Sequence, residues 1–183
     1  MKIIIGAGGT SYDGWIPTQE SELNLLNRSD FERQFEEESI DAILAEHVWE
    51  HMSEQEGIQA ARNCYDFLKS GGYIRCAVPD KNFRSEWYQN MVQVGGPGPK
   101  DHPAYTHKVV YDYLALKAVF EQAGFVVELL EYCDENGAFH YRYWNEADGK
   151  IGRSFRFDAR NSVEKLGIVS IIIDAKKPLI IPM

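Results

Sequence analysis

A chain of 183 residues with 44% hydrophobic and 13% aromatic content can bury one substantial core and hardly two, so a single domain over residues 1–183 is expected. The formal net charge of −9, with no run of Lys and Arg to offset it, argues against nucleic acid as a general partner and for a small neutral or cationic ligand. Cys64, Cys76 and Cys133 lie far apart and outside any Cys-x-x-Cys pattern, which predicts free thiols in a reducing compartment. With no secretory h-region and no apolar run of transmembrane length, a cytoplasmic protein without membrane contact is expected.

In chain order, the β-branched run "KIII" (2–5) predicts a strand that "GAGG" stops, and "WIPT" (15–18) predicts a second strand. Only about nine residues separate them, too few for a full crossover helix. "ELNLLN" (22–27) reads as another short strand and "SDFERQF" (29–35) as a helical turn. "SIDAILAE" (39–46) reads as a buried strand. Ser53 and Glu56 of "SEQE" form a capping box that opens a helix to about Leu68, which "KSGG" closes. "YIRCAVPD" (73–80) then completes a strand, helix, strand unit.

Residues 81–108 contain "VGGPGPKDHPAYTHK", rich in Gly, Pro and His without a period, and read as a long loop. Helical spacing returns from Tyr111 to Ala123, Gly124 ends it, and "FVVELLEY" (125–132) is an apolar strand. "AFHYRYWNEADGKIGRSFRFD" (138–158) alternates on both sides of "NEADG", which predicts a hairpin, and "GIVSIIIDA" (167–175) supplies the last strand. The order is βαβ-type with an antiparallel ending.

Two segments suggest chemistry. "GAGG" directly after the first strand lets backbone turn sharply and approach a ligand, although a turn that only packs would look the same. "EHVWEH" (46–51) contains His47-x-x-Glu50-His51, the order of an inverted zinc-peptidase motif. That motif needs both histidines on one helical face. The capping box starts the helix after them, so His47 and Glu50 are expected on the loop leaving the strand, at the edge where open α/β sheets bind ligands, with Glu46 and His47 the pocket candidates, His51 structural and no metal.

The order "GAGG", "EHVWEH", "LKSGG", "AVPD" resembles the class I S-adenosylmethionine-dependent methyltransferases, and most closely a small family with the pattern Glu-His-Val-x-Glu-His, Leu-Lys-x-Gly-Gly and Ala-Val-Pro-Asp. The resemblance implies an α/β fold, a Rossmann-like class I methyltransferase sheet that is mostly parallel with an antiparallel last strand, here with an abbreviated first half and an inserted C-terminal hairpin. It implies S-adenosylmethionine as cofactor. Gly6, Ala7, Gly8 and Gly9 match the motif around its methionine part, with Glu46 and His47 as further contacts. Gln19 stands where the family has a ribose-gripping acid, with Glu20 next, and Asp30 and Phe31 stand where adenine contacts fall. Gln offers no charged two-oxygen acceptor, so either Glu20 substitutes or binding is weaker.

Methyl transfer depends mainly on positioning, with a general base helping if the acceptor is a hydroxyl or amine; His47 and His107 are the candidates. The loop from Gly95 to Lys108 is expected to act as a lid over a small-molecule acceptor. Arg156, Asp158 and Arg160 of "RSFRFDAR" fall on one face of the expected hairpin, and its aromatics are expected on the core or on a second subunit of a homodimer. The alternatives are a non-catalytic binding protein for S-adenosylmethionine or S-adenosylhomocysteine on the same fold, and a metal hydrolase using His47, Glu50 and His51.

Overall fold

The computed structural model describes residues 1–180. Seven strands form one sheet: β1 (Lys2–Ile5), β2 (Trp15–Pro17), β3 (Ile40–Glu46), β4 (Leu68–Pro79), β5 (Val126–Cys133), β6 (Phe139–Tyr141) and β7 (Ser170–Lys176), in the order β2-β1-β3-β4-β7-β5-β6. β1 pairs parallel with β2 and β3, and β3 with β4, whereas β7 lies antiparallel between β4 and β5. The mostly parallel sheet with its antiparallel last strand agrees with the sequence. So does the trimmed first half, because β1 reaches β2 without a helix.

Helices α1 (Arg28–Gln34), α2 (Glu54–Phe67), α3 (Glu86–Val92) and α4 (Tyr113–Gln122) complete the regular structure. α2 starts where the sequence says it should: Glu56 N–H donates to Ser53 Oγ at 3.2 Å and Ser53 N–H to the Glu56 carboxylate at 2.7 Å. Strand alternation divides the core. Ile3, Ile5, Ile43, Ile74, Val78, Ile171 and Ile173 face α1, α2 and α4, which bury Phe31, Phe67 and Phe120 there.

On the opposite face, Ile4, Leu44, Ala77, Leu130 and Ile172 are covered not by helices but by the segment 142–158, which inserts Trp144 and Ile151. Three polar anchors hold this strap. Glu131 accepts from Trp144 Nε1 at 2.8 Å and Phe155 N at 2.9 Å; Glu46 accepts from Gly152 N at 3.0 Å and Arg153 N at 2.8 Å. Arg75, paired with Asp174 at 2.8 and 2.9 Å, donates through Nη1 to the carbonyls of Asn145 and Gly149. These are charge-assisted bonds, and those of the buried Glu131 and Arg75 are expensive to break.

Several local expectations are corrected. The C-terminal hairpin is made by β5 and β6 around Asp134, whose carboxylate accepts from Asn136 N and Ala138 N; "NEADG" is instead a turn capped by Asn145. Arg156, Asp158 and Arg160 therefore lie on irregular chain, where Arg160 closes a two-pronged pair on Asp158 and the Arg156 guanidinium packs over Trp144 and Phe157. "ELNLLN" is a series of turns, because Asp30 pulls its backbone in through Asn24 N at 2.9 Å while Leu23 and Leu25 enter the core. "KSGG" lies inside β4, where it forms the irregularity between the Ile40–Leu68 and Ala42–Tyr73 pairs, and the long loop contains α3, capped by Ser85. All three cysteines are free and buried. No helix of the described residues is long and apolar enough to cross a membrane.

Candidate functional site

The carboxyl ends of β1 and β3 meet two clefts that share Gly6 and His47. The first, about 400 Å³, lies on the helix side and is walled by Glu20, Asn24, Leu25, Leu26, Val48, His51, Thr106 and Lys108. The second, about 430 Å³, lies on the strap side beneath Gly8, Gly9, Thr10, Tyr12, Glu46 and Arg153. Both volumes suit a small ligand or cofactor fragment.

The glycine loop is built for close approach. Gly6 and Gly8 take φ of 57° and 54°, and a Cβ at Gly6 would stand 2.8 Å from Val48 Cγ2. Gln19 fixes the loop: its Oε1 accepts from Gly8 N at 3.1 Å and its Nε2 donates to Gly8 O at 2.9 Å. That amide is consumed by the loop, whereas the adjacent Glu20 lines the first cleft.

His47 leaves β3 with φ of 56°, uncommon for a residue with a Cβ and costly by about 1–3 kcal/mol. The turn aims its Nδ1 at the Glu50 carboxylate, 3.1 Å away, and its Nε2 at Ser170 Oγ, 3.0 Å away. Glu50 is 1% exposed, placed there by Trp49, which is fully buried against Phe120 with Nε1 donating to Gly57 O at 3.1 Å. Burial is the largest single influence on the Glu50 pKa and raises it, but its contacts with His47, its own backbone N–H and His51 together outweigh it, and the carboxyl lies below its ordinary value.

The backbone carbonyl of Glu50 accepts from Lys108 N at 2.8 Å and thereby docks the segment carrying Thr106 and His107. His107 is 8% exposed, with Nδ1 bonded to Val92 O at 2.8 Å and Nε2 facing Glu50 at 4.0 Å. His51 reaches the first cleft with Nδ1 on Thr106 Oγ1 at 2.8 Å, and burial lowers its pKa despite the attraction of Glu50.

The structure brings Gly6, Ala7, Gly8, Gly9, Glu20, Glu46 and His47 to the clefts. It does not bring Asp30 or Phe31 there. Asp30 spends its carboxylate on Asn24 N, Asn27 Nδ2 and Arg33, and Phe31 is fully buried against Phe67. Gln19 serves the loop, the Glu46 carboxylate holds the strap, and His107 stands behind the cleft wall rather than on a lid. Asn24, Leu25 and Leu26 were not anticipated, because their apolar alternation mimics a strand and only the Asp30 tether makes it a cleft wall.

The methyltransferase domain family matches residues 11–130. The chain belongs to that family. Among solved structures, this methyltransferase is 17% identical to a SAM-dependent methyltransferase from Archaeoglobus fulgidus, covering 96% of this chain and 85% of that one at a TM-score of 0.54. It is 12% identical to a SAM-dependent methyltransferase from Methanosarcina mazei, over 94% and 71% of the two chains at a TM-score of 0.50. A longer SAM-dependent methyltransferase from Thermotoga maritima, 15% identical at a TM-score of 0.47, is spanned to 63% by 89% of this chain. At these identities the first two likenesses show a shared fold. No curated protein matches the chain.

Proposed function

We propose that the protein transfers a methyl group from S-adenosylmethionine to a small-molecule acceptor. The observation that carries this is the pair of clefts joined at Gly6 and His47, with glycine backbone as the floor between them. The adenosine part fits the first cleft, with the adenine against Leu25 and Leu26 and the ribose diol on Glu20. The methionine end crosses Gly6 toward Gly8, Gly9 and the Arg153 side of the second cleft. The acceptor then takes the His51, Thr106 and Lys108 end of the first cleft.

In-line attack by an acceptor oxygen or nitrogen forms the new bond to the methyl carbon. The carbon–sulfur bond breaks with its electron pair going to sulfur, and the acceptor proton leaves to solvent. Positioning supplies most of the rate, since the sulfonium already activates the methyl group. His47, with both ring nitrogens engaged by Glu50 and Ser170, acts as a positioning residue at the shared edge. The net charge of −9 supports a small acceptor over nucleic acid, and the proposal includes a cytoplasmic location and a homodimer. The metal-hydrolase alternative on His47, Glu50 and His51 draws no support from the family match.

Glu20→Gln keeps the size of the side chain and removes its charge. Calorimetric affinity for S-adenosylhomocysteine should fall about tenfold, the worth of a charge-assisted hydrogen bond. An unchanged affinity would remove Glu20 from the ribose and with it the placement of the nucleoside in the first cleft.

A further inference from the structure

Glu50, His51 and His107 form a cluster that methyl transfer as set out above leaves unexplained. Each offers one ligand atom, and these atoms lie within 4.8 Å of one another. Glu50 is almost wholly buried, and neither of its carboxylate oxygens has a hydrogen-bond donor in proper geometry, the His47 contact included. A buried carboxylate left in that state costs several kcal/mol unless a cation joins it.

The two imidazoles are oriented for such a cation. His107 Nδ1 meets Val92 O, an acceptor only, so this nitrogen carries a proton and Nε2 is the ring atom turned toward Glu50 as a ligand. His51 Nδ1 meets Thr106 Oγ1, which leaves its Nε2 free. A backbone carbonyl or hydroxyl behind each ring, with the other nitrogen turned inward, is the outer-shell pattern of metal-bound histidine. His47 flanks the carboxylate on the far side, tied to Ser170.

The geometry points to a divalent transition-metal site of the zinc class on Glu50, His51 and His107, with its open position toward the first cleft. Two imidazoles and one carboxylate suit zinc or a near neighbour better than magnesium or calcium. Bonds of about 2.0–2.1 Å put tetrahedral ligands roughly 3.4 Å apart, so the cluster must draw in slightly, which the half-buried ring of His51 at the cleft wall allows. His51 is the ligand that meets the acceptor end of that cleft. An ion there would bind an acceptor hydroxyl or carboxylate and ease loss of the hydroxyl proton to solvent. That role rests on the methyltransferase reading; metal binding itself does not.

The test uses the full chain stripped with a chelator and titrated, without cofactor, with zinc by calorimetry and with cobalt by visible absorption. One ion per chain is expected, with the absorption of a low-coordinate cobalt site. His51→Ala should abolish that spectrum and weaken zinc by more than the 10- to 100-fold typical of losing an outer partner, and Thr106→Val should weaken it by about that typical amount. His140→Ala, on the exposed edge strand β6, should change nothing. Far-ultraviolet dichroism checks that His51→Ala is folded, and as that residue is at the cleft wall, it avoids the risk carried by variants of buried Glu50. No uptake, or uptake with an unaltered spectrum in His51→Ala, would overturn the site. A separate titration with S-adenosylhomocysteine keeps the two proposals distinct, since either ligand can fail without the other.

Discussion

Gly6 offers a sharp perturbation, because two separable costs follow from adding one methyl group. With φ of 57°, alanine there meets a left-handed strain of roughly 1–2 kcal/mol. Its Cβ would also stand 2.8 Å from Val48 Cγ2, so Val48 must move into the first cleft or the loop must shift. Gly8 is the internal control: its φ of 54° imposes the same strain, but nothing lies within 4 Å of the added carbon. Urea unfolding should therefore show Gly8→Ala losing about 1 kcal/mol and Gly6→Ala about 2–3 kcal/mol, the extra coming from overpacking. Affinity for S-adenosylhomocysteine should fall more than tenfold for Gly6→Ala. Val48→Ala in the Gly6→Ala background should recover the packing part and leave the strain, giving a coupling of about 1 kcal/mol in the double-mutant cycle. Equal losses at Gly6 and Gly8, or no rescue by Val48→Ala, would refute the idea that close approach to the Val48 side chain is what demands glycine.

Other outcomes follow from the same structure. Gln19→Asp should loosen rather than tighten cofactor binding, because the shorter acid has no donor for Gly8 O; calorimetry of the variant decides it. Trp144→Ala should cost about 3–5 kcal/mol, read by chemical unfolding, since it removes the strap's main apolar anchor and one of the two donors to Glu131. Asp80 is buried at the end of β4, where burial lifts its pKa from 3.8 to about 6 despite bonds from Cys133 N and Asn82 N. A carboxyl raised on folding binds its proton more tightly when folded, so its contribution is fully present below about pH 4. It declines by roughly 3 kcal/mol as pH rises through about 6. Relative to Asp80→Asn, the wild type should lose stability across that window in urea titrations; parallel curves would show that the carboxyl is not strained.

The sheet was legible because its signals are local and strong. "KIII", "DAILAE" and "IIIDA" are apolar runs of strand length, and the Ser53–Glu56 box announced α2 to the residue. The strap was not. Its alternation around "NEADG" mimics a hairpin, and what overrides it is a set of distant partners: Glu46, Arg75 and Glu131 bond its backbone and Trp144 across 13 to 107 positions. At the site, the glycine loop and the β3 exit could be read from residue type and order alone. Asp30 and Phe31 could not be distinguished from ligand contacts, because a capping carboxylate and a core aromatic look identical in a string. His107 entered the Glu50 cluster only through the docking of Lys108 N on Glu50 O, a contact between chain segments 58 positions apart that no local pattern encodes.

The central claim is that the cleft joined at Gly6 and His47 holds S-adenosylmethionine. Calorimetric titration of the unmodified protein with S-adenosylhomocysteine tests it most directly. A single site of micromolar affinity is predicted, together with a thermal shift of roughly 5–10 °C at a hundredfold excess over Kd, the equivalent of about 2.7 kcal/mol. Neither heat nor shift at millimolar ligand would contradict it.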